Sequence, residues 1–131
     1  MRKDLELKLV EKYPALFEEY GGDPRQTCMA WGCSHGDGWF EILSSLCEQI
    51  QQYVNANPGM AVKFLQIKEK FAVLTVYHNG DSTVDKIVDQ HAEWSRRTCE
   101  ECGEAGETRT IGGFYLTRCQ RCHDIEDKRR S

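Results

Sequence analysis

The feature that most constrains this chain is a pair of cysteine doublets near its C-terminus. Cys99-x2-Cys102 is followed, after 16 residues, by Cys119-x2-Cys122. A two-residue gap lets both thiolates of a doublet bend onto one ion, at Zn–S distances of about 2.3 Å. The spacing is that of a four-cysteine zinc site. Four thiolates complete a tetrahedron and leave no open position, so the expectation is one structural Zn2+ rather than a catalytic one. Between the doublets, "ETRTI-GG-FYLTR" reads as a hairpin turning at Gly112-Gly113, residues able to take positive φ. "HDIEDKRR" after Cys122 reads as a helix. Ile111, Phe114, Tyr115, Leu116 and Ile125 are the only bulky apolar residues of this segment. Without a metal it has almost no core, and metal binding supplies on the order of 10 kcal/mol in such modules. Knuckle, hairpin, knuckle, helix predicts a zinc-ribbon or treble-clef-like module over residues 98–131. Nucleases built on a treble clef need a histidine base on the hairpin, and no histidine lies between His91 and His123.

The remaining residues, 1–97, predict a second unit. Asp4 to Tyr13 reads as a helix with Leu5, Leu9 and Lys12 on one stripe, followed by a turn carrying Leu16, Phe17 and Tyr20. Trp39, Leu43, Leu46, Ile50 and Tyr53 recur at helical spacing from Gly38 to Val54, and "NANPG" stops that helix. The period then changes to two, predicting strands over 61–68 and 71–78 joined near "KEKF". Ser82 and Asp85 look like a capping box for a helix ending near Arg97, with Val84, Ile87, Val88, His91 and Trp94 on its apolar side. The fold class is therefore α+β: two to three helices packed on a β-hairpin, with the four-cysteine module appended and 98–131 expected to meet 1–97 through Trp94 and Phe114.

Composition narrows the class of function. Of 131 residues, 40% are hydrophobic and 29% charged, which fits a folded domain with a core. No apolar run approaches the ~20 residues of a membrane span, and the charged N-terminus does not look like a signal peptide. Seven cysteines in such a chain predict thiols and metal ligands in a reducing cytoplasm rather than disulfides. The net charge is −4, but it is uneven: residues 1–95 hold 9 Lys/Arg against 14 Asp/Glu, and residues 96–131 hold 8 against 7. Any nucleic-acid contact is expected at the basic end, from Arg109, Arg118, Arg121, Arg129 and Arg130, with Arg96, Arg97 and Lys128 nearby and Phe114 or Tyr115 stacking on a base.

The stretch "WGCSHGDGW", Trp31 to Trp39, admits three readings. Cys33 as nucleophile with His35 as base would make an enzyme. Cys28, Cys33, His35 and Cys47 would make a second metal site. The reading adopted is a loop ending in a capped helix: Asp37 is the N-cap, Trp39 anchors the core, Trp31 closes over it, and the three cysteines are buried free thiols. His78 and His91 are read as structural. Trp31, His35, Asp37 and Trp39 would be the loop that meets a partner.

Taken in order, "GDGWFEIL", "QIKEKFAVLTVY" and the paired CxxC resemble a group of small bacteriophage and prophage proteins, over residues 28–122. The resemblance implies a phage accessory protein in the bacterial cytoplasm, of a kind that binds and redirects a host, phage or defence protein. The closed zinc site, the acidic main body and the lack of a catalytic constellation lead to the expectation of a non-enzymatic binding protein, with nucleic acid as the alternative partner through the basic end and no membrane partner.

Overall fold

A computed structural model describes all 131 residues. The fold is α+β: four helices and two small sheets. In chain order the elements are α1 (Lys3–Lys12), β1 (Cys33–Ser34), α2 (Phe40–Asn55), β2 (Phe64–Lys70), β3 (Val73–His78), α3 (Ser82–Ser95), β4 (Glu107–Ile111), β5 (Phe114–Arg118) and α4 (Gln120–Arg130). Short 3-10 turns at Cys28–Trp31 and Asp37–Trp39 flank β1. No helix is long and apolar enough to cross a membrane.

The central sheet has the order β1-β2-β3. β2 and β3 are antiparallel, with Lys68 opposite Thr75 and Lys70 opposite Val73. β1 joins β2 in parallel, Cys33 opposite Ile67. This strand was not expected: two residues are too few to show a period. The inner face carries Phe64, Ile67, Leu74 and Val76, and α2 covers it with Ile42, Leu43, Leu46, Cys47 and Ile50, all buried. Trp39 sits in the same core, fully enclosed.

Several local expectations are corrected. Of the expected α1 stripe only Leu9 is buried, Leu5 being half-buried and Lys12 exposed; the helix buries Glu6 and Leu9, and Tyr13 just beyond its end continues that face. Glu6 can be buried because its carboxylate accepts the Cys33 N–H (2.6 Å) and the Tyr20 hydroxyl (2.7 Å). The N-cap of α3 is Asp81, whose Oδ1 accepts the Thr83 and Val84 N–H groups. A carboxylate one residue earlier thus replaces the Ser82 box. The β2–β3 turn falls at Phe71-Ala72, later than the expected break. Both residues hold positive φ, +51° and +70°, the geometry a two-residue hairpin loop requires and normally fills with Asn or Gly. A side chain there costs about 1 kcal/mol per residue. The β4–β5 turn obeys the rule, with Gly112 and Gly113 at +55° and +84°.

Candidate metal centre

The site is built from two loops. The first doublet follows α3. Gly103 takes φ +83°, and its N–H donates to the Cys99 carbonyl at 2.9 Å, folding "CEECG" into a knuckle. β4 and β5 then bring the chain back, Glu107 opposite Arg118 and Ile111 opposite Phe114. Cys119 caps α4, its Sγ accepting the Cys122 N–H at 3.4 Å. The four sulfur atoms of Cys99, Cys102, Cys119 and Cys122 lie within 4.8 Å of one another. Cys102 and Cys119 are 3.7 Å apart, sulfur to sulfur. A ZnS4 tetrahedron with 2.3 Å bonds has edges of about 3.8 Å. The donors therefore fit one zinc ion, and there is no disulfide to compete. Soft thiolates select zinc over magnesium or calcium. The Cys122 N–H is the chief influence holding the Cys119 thiol down to about 7, as suits a ligand that binds deprotonated. Bound zinc with four thiolates carries a formal −2, and the exposed Arg121 guanidinium lies beside the Cys102 thiol to offset it.

The knuckle is seated on the rest of the chain. The Gly38 N–H donates to the Glu100 carbonyl at 2.7 Å, and the Gly36 N–H to Glu100 Oε2 at 2.8 Å. The Trp39 indole N–H donates to the Thr98 carbonyl at 2.9 Å. On the other side the Glu100 N–H donates to the Thr117 carbonyl (3.0 Å), and the Thr117 hydroxyl donates to the Ala72 carbonyl (2.6 Å). Glu100 thus ties the knuckle to both the loop before α2 and β5. Its carboxylate meets Arg118 at 3.2 Å in a buried pair. Burial pushes the Glu100 carboxyl up, while the Gly36 N–H and Arg118 pull it back. The two glycines answer for the "GDG" spelling. A Cβ on Gly36 would lie 2.4 Å from the Glu100 carbonyl oxygen, and one on Gly38 would lie 2.1 Å from that of Cys99. Neither distance is attainable between atoms that do not bond. Trp94 and Phe114, expected to join the two parts, are instead partly exposed.

The "WGCSHGDGW" residues are dispersed by the fold. Trp39 is in the core and His35 is buried, so neither faces a partner. Trp31 does not close over the core: it is 69% exposed. Asp37 is not a side-chain N-cap; its carboxylate accepts the Arg2 N–H at 2.7 Å and pairs with the Arg2 side chain at 3.5 Å. Cys28 is exposed, contrary to expectation, while Cys33 and Cys47 are buried. The His35 N–H donates to the Cys33 carbonyl at 3.0 Å, but no hydrogen bond joins the Cys33 thiol to the His35 ring. The His35 Nδ1 is held by the Gly36 carbonyl (2.8 Å), burial drives its pKa down to about 4, and burial pushes Cys33 up to about 12. This is not a nucleophile with its base. Cys28, Cys33, His35 and Cys47 are likewise not gathered into a ligand cluster; the C-terminal four cysteines are.

The expected basic contacts are largely occupied. Arg118 is buried against Glu100 and Glu101, which removes it from any phosphate-facing set. Arg109 pairs with Glu107 and donates to the Arg118 carbonyl and Gln120. Arg129 and Arg130 both meet Glu126, and Arg130 also lies over the Phe114 ring at 5.4 Å. The residues that sequence reasoning missed are Glu100 and Thr117. Each acts through a contact with a distant segment, which no local spacing reveals. No protein-family model, curated protein or solved structure matches the chain.

Proposed function

We propose that this chain is a non-enzymatic binding protein whose working surface is held in shape by one structural zinc. In this reading it is a phage accessory regulator or inhibitor of a bacterial host or defence protein, acting in the host cytoplasm. The observation that carries the binding role is the set of large aromatic side chains left in solvent: Trp31, Phe71 (74% exposed), Phe114 (60%) and Tyr115 (56%). Aromatic residues are those that interfaces concentrate. A four-thiolate site has no open coordination position for chemistry, and the acidic balance of the body suits a basic surface on a partner. The phage setting rests on the order of the three sequence motifs.

The test is affinity capture from bacterial lysate with zinc-loaded tagged protein. One host protein should be retained in stoichiometric amount, survive nuclease treatment, and be displaced by untagged protein. Retention of nothing specific, or loss of all capture with nuclease, would contradict a protein partner.

A further inference from the structure

Between the tips of the two hairpins lies a cleft of about 420 Å³. Phe71 of the β2–β3 turn lines it on one side, and Gly113, Phe114, Tyr115 and Leu116 line it on the other; alternation along β5 puts Tyr115 on the face of Thr117, which bonds Ala72 beside Phe71. Lys68 and Lys70 stand along its rim. We propose that this cleft binds single-stranded nucleic acid, with bases against Phe71 and Tyr115 and phosphates on Lys68 and Lys70. The inference rests on the reading of the chain as a binding protein, but not on a protein partner.

Three observations carry it. First, Phe71 is a large aromatic in the left-handed region, φ +51°, yet its side chain is 74% exposed. The fold gains no packing from it, and glycine or asparagine would suit the turn better. Backbone strain kept at an exposed side chain points to a use for that side chain. Second, the two lysines are uncommitted. None of the chain's ion pairs includes Lys68 or Lys70. The neighbouring acid, Glu69, is turned into the turn, where its Oε2 accepts the Ala72 N–H at 2.7 Å. Alternate residues of a strand share a face and lie about 6.6 Å apart, a spacing an extended sugar–phosphate backbone can follow. Third, the cleft is preformed. The Thr117 hydroxyl on the Ala72 carbonyl ties the turn of the central sheet to the C-terminal half of β5.

Exposed ring faces flanked by free cations are the sequence-tolerant apparatus of single-strand binding. An acidic peptide would satisfy the lysines and leave the ring faces without a stacking partner. A duplex requires many phosphate contacts, which two lysines on a protein of net charge −4 do not provide.

The experiment is fluorescence anisotropy of labelled oligothymidylate and oligouridylate of about 12 nucleotides, with the full-length zinc-loaded protein. Binding should weaken about sevenfold between 50 and 200 mM salt, as two single-strand phosphate contacts require. The double variant K68A/K70A should lose that salt dependence. Y115A and F71G should each bind at least about fivefold more weakly. F71G relaxes the turn, so its Tm should equal or exceed that of the parent, which separates lost stacking from lost folding. Absence of oligonucleotide binding at the lower salt would overturn the proposal. Parental affinity in both aromatic variants would do the same. So would a glutamate-rich peptide that binds through these residues where the oligonucleotides do not. Host-protein capture is scored after nuclease treatment, so absence of oligonucleotide binding leaves that reading standing and the two fail separately.

Discussion

Cys99→Ser, or removal of the metal by a chelator, is expected to unfold the whole chain and not merely residues 98–131. Cys99 is a fully buried ligand, and its carbonyl closes the knuckle on Gly103. That knuckle supplies the carbonyl acceptors for the Gly38 N–H and the Trp39 indole N–H. Without it, buried donors at the start of α2 lose their partners, at about 1–3 kcal/mol each. β5 also lets go of Ala72 at the turn of the central sheet. Zinc binding contributes on the order of 10 kcal/mol in comparable modules, and a domain's entire stability is about 5–15 kcal/mol. The apo chain should therefore lose α2 helicity and the burial of Trp39 in one transition, followed by far-UV circular dichroism and tryptophan fluorescence during urea unfolding. A Cys99→Ser protein that keeps α1 to α3 protected from hydrogen exchange would show that residues 1–97 stand alone.

Gly38→Ala should be nearly as damaging, although Gly38 lies 61 positions from the first ligand. The reason is space, not φ. An added methyl would meet the Cys99 carbonyl oxygen at 2.1 Å, the Glu100 carbonyl oxygen at 2.6 Å and the Gly103 nitrogen at 2.6 Å. All three are backbone atoms of the metal knuckle, so no side-chain rotation relieves the clash. Either the knuckle lifts from α2 or the ligands are displaced. The expected loss is about 3 kcal/mol, the upper end of overpacking costs. Zinc affinity should fall with it, because folding and metal binding are linked. Urea midpoints and a competitive zinc titration measure the two effects. Stability within about 1 kcal/mol of the parent would mean that the seating seen here is not rigid.

What could be read in the sequence was whatever depends on near neighbours. The cysteine doublets, the Gly112-Gly113 turn, the period of α2 and the change to strand after "NANPG" all announce themselves within a few residues. What escaped depends on distance in the chain. Asp37 looked like a helix cap because local rules see only local donors; its actual donor is Arg2. The glycines beside it, Gly36 and Gly38, have no local reason that spacing can show; they make room for Cys99 and Glu100. Glu6 is absent from the apolar stripe that spacing picks out, and its burial depends on the Cys33 N–H and the Tyr20 hydroxyl brought up by folding. Phe71-Ala72 gave no turn signal, since neither residue is one a hairpin loop prefers. Among the candidate site residues, the zinc ligands were legible because their chemistry requires fixed spacing. The arginines were not, because whether a guanidinium is free depends on carboxylates brought up by folding, as Glu100 and Glu101 are brought to Arg118.

Native mass spectrometry of protein purified without added zinc, before and after alkylation under native conditions, tests the central claim most directly. The account predicts one zinc per chain and a single alkyl group, on the exposed Cys28. Cys33 and Cys47 should be spared by burial, and the other four thiols by the metal. Two zinc ions per chain would contradict it and return attention to Cys28, Cys33, His35 and Cys47. A folded chain with no zinc and four reactive C-terminal thiols would contradict it outright.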